Sequence, residues 1–156
     1  MNYGGYDLVQ ALTEKLNDKT GSHIFQGGYE GWVKFMFDMD GSQRQSINMF
    51  YTHGAGGAAP VTKGVIKTAR RAVYLPDADV IVSGHSHNAW DLWTGRLRLS
   101  RLGVQSEDKQ LHIQTPGYKG RGDFEIRNEH PPKPCGAYWL NFRRQSHRII
   151  YRAIWV

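Results

Sequence analysis

The stretch DADVIVSGHSHNAW, Asp77 to Trp90, constrains the fold more than any other part of the chain. Val80, Ile81 and Val82 are consecutive apolar β-formers, the pattern of a strand covered on both faces rather than of a half-solvated hairpin. Gly84 lets the chain turn sharply after that strand, because it has no side chain to clash. The turn presents His85 and His87, so whatever these two histidines do takes place at a strand's carboxyl end.

Upstream of that strand, Ile47 to Ser83 reads as strand, loop, helix, strand. GWVKFMFDM (Gly31 to Met39) and SINMFYT (Ser46 to Thr52) form a hairpin across the turn-prone DGSQRQ. HGAGGAAP follows as a glycine-rich loop, and a helix is expected from Val61 to Val73, with Pro60 at its start where a missing N–H costs nothing. Pro76 closes that segment. A strand, a crossover helix and a second strand predict parallel strands in one sheet, which brings His53 and the pair His85 and His87 to the same edge. Nearer the N-terminus, Leu8, Val9, Leu12 and Leu16 lie at helical spacing, so an amphipathic helix is expected over Tyr6 to Leu16, stopped by Asn17 to Gly21. Beyond Asn88, the pieces AWDLWTG, LRLSRLG, QLHIQTP, AYWLNFR and HRIIYRAIWV predict a second, mainly antiparallel sheet. GYKGRGDFEIRNEHPPKP reads as a long polar loop.

At 156 residues and 40% apolar composition the chain can bury one sizeable core, so one domain spanning 1–156 is expected. The single cysteine, Cys135, excludes an internal disulfide framework and a thiolate zinc cage, so any metal must rely on histidine and oxygen. No signal peptide and no window near the roughly 20 apolar residues of a bilayer span occur, and the expectation is a cytoplasmic protein without a membrane partner. The formal charge of +6 points to anionic partners. Cationic residues concentrate at Arg96, Arg98 and Arg101 and again at Arg143, Arg144 and Arg148, and the plainest alternative is a solvated strand face.

Imidazole is the commonest nitrogen ligand of borderline metals, and three histidines on two loops of one sheet edge form a better site than one alone. Ser86 between them lets His85 and His87 project in different directions, as two ligands of adjacent ions would. His23, His112, His130 and His147 fall in no ligand pattern, and Cys135 reads as a small buried or loop thiol. Trp32, Trp90, Trp93, Trp139 and Trp155 read as core or rim packing, with Trp90 placed to wall a pocket.

A strand ending in THG, a glycine-containing loop and helix, and then ADVIVSGHSH resemble the last two blocks of the calcineurin-like metallophosphoesterase superfamily. The resemblance runs from about Gly31 to the C-terminus. It implies an α/β (α+β) fold that is part of a layered αββα sandwich, with the βαβ unit at 46–83. It also implies that His53 and His85 bind one divalent ion (manganese, iron, zinc or similar) and that His87 reaches a neighbouring one. The D-x-H, G-D-x-x-D and G-N-H blocks of that family do not occur here; DMDG (Asp38 to Gly41) and NEH (Asn128 to His130) have neither the right letters nor the right place. The chain thus resembles the C-terminal half of such an enzyme. Two dications held close together repel, and a bridging carboxylate is what reduces that repulsion, so three histidines alone would hold one ion loosely. The expected function is metal-dependent phosphoester hydrolysis, incomplete in this chain alone. Its partners would be a phosphoester, nucleic acid among the candidates, and a separate N-terminal half supplying carboxylates.

Two other readings compete. GAGGAA (Gly54 to Ala59) fits G-x-G-x-x-A, but the dinucleotide fingerprint needs an acidic residue at the end of the next strand, and that strand ends in SGHSH. A non-catalytic nucleic-acid-binding or interaction module with a vestigial metal site is the alternative that the basic clusters favour.

Overall fold

The computed structural model describes residues 2–3, 6–56 and 61–156. Pro60 and the segment Gly57–Ala59 of the G-x-G-x-x-A reading lie outside the described residues. A two-residue pair, β1 (Asn2–Tyr3) and β2 (Tyr6–Asp7), precedes helix α1 (Leu8–Thr20). Asp7 caps α1 by accepting from the amides of Val9 and Gln10, and Gly21, left-handed at φ 63°, ends it. The helix forms as its periodicity predicts, yet none of its residues is buried, and Leu8, Val9, Leu12 and Leu16 stay exposed.

The centre of the molecule is a five-stranded mixed sheet of order β3-β4-β5-β7-β6. β3 (Glu30–Asp38) and β4 (Arg44–Thr52) form the expected antiparallel hairpin, and β4 runs parallel to β5 (Val80–Ser83) through helix α2 (Ile66–Tyr74). The βαβ unit is therefore present, with a later helix start than Val61. Lys63 (φ 46°) and Gly64 (φ 84°) are left-handed, which a right-handed helix cannot contain.

The C-terminal half departs from expectation in its pairing. AWDLWTG and LRLSRLG are one strand, β6 (Trp90–Leu99), which runs through Gly95 and pairs antiparallel with β7 (Gln105–Gln114). β7 in turn lies parallel to β5, so both strands belong to the main sheet rather than to a second one. The polar loop contains the short helix α3 (Asp123–Arg127). β8 (Tyr138–Gln145) and β9 (Arg148–Trp155) form an antiparallel sheet separate from the main one.

Alternation along the strands sorts the core into two layers. Ile47, Val80, Leu111 and Ile113 face the β8–β9 hairpin, which covers them with Leu140, Phe142, Ile149 and Tyr151. Phe50, Ile81, Leu75 and Ala78 form a smaller cluster on the opposite face, where α2 lies. The outcome is an α+β arrangement with a buried β5, and its position lets β4 and β5 end side by side. Among the described residues no helix is long and apolar enough to cross a membrane.

Candidate functional site

β4 and β5 are parallel and in register, Thr52 beside Ser83, so the residues that follow them leave the sheet together. Three contacts hold the two exits in place. The Gly84 amide donates to Thr52 O (3.2 Å), and the buried Gln114 side chain donates to Gly84 O (2.6 Å). The His53 amide donates to Tyr29 O (2.6 Å). The two glycines let the backbones meet: a Cβ on Gly54, itself left-handed at φ 82°, would stand 3.2 Å from Gly84 O, and one on Gly84 would stand 3.3 Å from His53 O. Lys67 of α2 donates to Ala55 O at 2.6 Å and ties down the loop after His53.

This scaffold brings His53 Nε2 and His85 Nδ1 to 3.2 Å, with the rings edge to face at a centroid separation of 5.2 Å. That distance suits a hydrogen bond when one nitrogen carries the proton. It also suits two ligands of one ion, since nitrogens each about 2.0–2.1 Å from a tetrahedral metal lie roughly 3–4 Å apart. Both side chains are exposed, as is that of His87. His85 (φ 71°) and His87 (φ 54°) are both left-handed, a conformation unfavourable for a side-chain-bearing residue. Two such residues in a four-residue turn mark backbone strain of the kind that gathers at functional sites.

His87 stands apart from the pair. It packs against Gly117, where a Cβ would lie 3.4 Å from its Cγ and Nδ1. Among the described residues no group of three or more His, Cys, Asp or Glu side chains is arranged to hold an ion. The carboxylates nearest in motif are engaged elsewhere: Asp38 pairs with Arg44, and Asp40 with Arg144. The donor set thus fits two positions of a metal's coordination sphere and leaves the rest open.

His85 and His87 also line a cavity of about 420 Å³ walled by the chain from Gly117 to Pro134, including Lys119, Arg121, Phe124, Glu125, His130 and Lys133. In the sequence these residues read only as a polar loop. The available signal was the interleaving of cations with an aromatic in GYKGRGDFEIRNEHPPKP. Lys133 Nζ donates to Ser86 O at 2.9 Å and so fastens this loop to the histidine turn.

The basic clusters divide. Arg96, with its side chain only 10% exposed, pairs with Asp79 and Asp108, and Arg98 pairs with Asp77 and Asp108, so these two are structural, while Arg101 is exposed. Of the other histidines, His112 is buried in β7, and Cys135 is exposed. Trp90 donates from Nε1 to Lys63 O (3.0 Å) and braces the turn before α2. Trp93 packs on Tyr151, while Trp139 is 68% exposed. No family model, no curated protein and no solved structure matches the chain.

Proposed function

We propose that the chain contributes the histidine side of a metal centre in a metallophosphoesterase-type hydrolase, one built on a layered αββα sandwich. The observation that supports this most is the 3.2 Å approach of His53 Nε2 and His85 Nδ1 at the shared carboxyl edge of two parallel strands. His53 and His85 would hold one divalent ion, and His87, on the other side of Ser86, would serve a neighbouring ion. Such ions supply Lewis acidity toward phosphoryl oxygens. The chain's own residues fix the imidazoles: Gln114 holds the Gly84 carbonyl, Tyr29 the His53 amide, and Lys133 the Ser86 carbonyl. His85 and His87, both with left-handed φ angles, flank Ser86 in one turn.

Because no carboxylate joins the pair among the described residues, the chain alone would hold metal loosely and hydrolyse little. The test is hydrolysis of p-nitrophenyl phosphate and bis-p-nitrophenyl phosphate with manganese, by the chain alone and with a companion half carrying D-x-H, G-D-x-x-D and G-N-H blocks. Chelator-sensitive turnover is expected only in the second case and should be lost with His85→Ala. Robust turnover by the chain alone would mean that its own carboxylates, such as Asp91 or Asp123, complete the site. No turnover in either case would remove the hydrolase reading. The nucleic-acid module without metal loses support from the Arg96 and Arg98 ion pairs, which account for two of the three arginines in one of its two basic clusters.

A further inference from the structure

The cavity beside the GHSH turn combines fixed positive charge with an exposed ring. Lys119, Arg121 and Lys133 bring three cations to its wall, and among the described residues none of them forms an ion pair. Glu125, the one carboxylate on the wall, is ionised and offsets one of the three, which leaves an excess of two cations. Its Oε2 accepts the Gly122 amide at 2.9 Å, and its own amide, then that of Gly122, hold its carboxyl below the usual range. Lys133 spends one ammonium donor on Ser86 O and keeps two that can reach a ligand. Phe124 is 67% exposed and touches His130 edge to face at 6.0 Å, so much of its ring area faces the solvent. Leaving an aromatic side chain outside the core wastes the burial it could contribute, whereas an open ring among cations is how proteins hold a base next to its phosphate.

We propose that this cavity binds a nucleotide, with the phosphate among Lys119, Arg121 and Lys133 and the base against Phe124. The phosphoester handled at His53 and His85 would then be a nucleotide or the end of a nucleotide strand. This deepens the metallophosphoesterase reading and rests on it for the reaction, but nucleotide binding itself needs no metal.

The experiment is calorimetry on the full chain in EDTA with thymidine 5′-monophosphate, thymidine, inorganic phosphate and a single-stranded thymidine pentamer. The monophosphate is expected to bind more tightly than thymidine or phosphate alone. Phe124→Ala should weaken it roughly 5- to 150-fold, the range of base–aromatic stacking, while leaving inorganic phosphate unchanged. The double variant Lys119→Ala/Arg121→Ala should weaken the monophosphate and inorganic phosphate alike, with circular dichroism confirming that it folds. For the pentamer, three phosphate contacts predict a log–log salt slope of about −2. Tighter binding of the pentamer assigns a strand end as ligand, and tighter binding of the monophosphate assigns a free nucleotide. Equal binding of phosphate and monophosphate, or no effect of the double variant, overturns the proposal. Nucleotide binding in EDTA by a chain that takes up no zinc would leave the cavity standing and remove the metal reading. Zinc uptake without nucleotide binding would do the reverse.

Discussion

The two ends of the parallel strands β4 and β5 treat charge in opposite ways. At the amino end, Arg96 is nearly enclosed and every polar atom of its guanidinium is used. Nη1 donates to Pro76 O and Ala78 O (2.9 and 2.5 Å), Nη2 to Asp79 (3.2 Å), and Nε to Asp108 (2.7 Å). Burial alone would push the Asp108 carboxyl up, but Arg96 and Arg98 together hold it low. Tyr151 closes this end, its one hydroxyl proton shared between Asp79 O (3.3 Å) and Lys109 O (3.2 Å), and burial raises its pKa to about 12. At the carboxyl end the three histidines are exposed, two of them left-handed, beside cations without ion-pair partners among the described residues. One end spends its charges on the fold, and the other keeps its donors available at a cost in backbone strain.

Removing Arg96 gives the largest expected effect. Arg96→Met removes a donor from Asp79, Asp108, Pro76 O and Ala78 O, of which Asp108 keeps Arg98, Asp79 the Asn48 amide and Ala78 O the Gln110 side chain, and should cost about 3 kcal/mol in urea unfolding, near the low end for a broken buried pair. His85→Ala, at the other end, should stay within about 0.5 kcal/mol of the parent. A comparable loss at both ends would erase the distinction between them.

Acid sharpens the same comparison through His112, which is 1% exposed and lies between the ends on the α2 face. Burial first, and then Arg71 and Arg96, push its pKa from 6.5 down to about 4. Between those values the unfolded chain binds more protons than the folded one. Stability is therefore full above about pH 6.5 and declines as pH falls toward 4, by about 2–3 kcal/mol. His112→Gln should flatten that slope, as read from urea midpoints across the range, and an unchanged slope would assign it to other groups.

A smaller change in stability than at Arg96 or His112 runs the opposite way. Glycine adopts a left-handed φ at lower cost than histidine, and its greater freedom in the unfolded chain takes back part of the gain, so His87→Gly should raise stability by about 0.5 kcal/mol, seen as a higher urea midpoint. A loss of stability would show that His87 holds the turn rather than being strained by it.

How much of this was legible in the sequence depended on whether the local signal and the tertiary role agreed. Val80 to Val82 read as a buried strand because every one of those side chains packs against a layer above or below the sheet. The β3–β4 hairpin was visible because the turn-prone DGSQRQ separates two strand-like runs. β6 was misread as two pieces because Gly95 looks like a turn, yet in place it pairs with Lys109 in an uninterrupted ladder. The first half of β7, Gln105 to Lys109, carries no apolar alternation because both of its faces are exposed. The start of α2 was set by left-handed angles at Lys63 and Gly64, and for a lysine no composition rule announces such an angle. At the site, the approach of His53 and His85 followed from parallel strand ends, whereas the strain at His85 and His87 and the cationic cavity depend on how the loop from Gly117 to Pro134 folds back over the turn.

Whether His53 and His85 form a metal-ligating pair is read from the ring ¹⁵N resonances of the histidines during a zinc titration. Zinc should move His53 Nε2 and His85 Nδ1 together and saturably, EDTA should reverse the change, and His53→Ala or His85→Ala should abolish it, while His23 and His147 stay fixed. If those two nitrogens do not respond, or if all the exposed histidines respond alike, the pair is a hydrogen-bonded contact between loops and not a metal site.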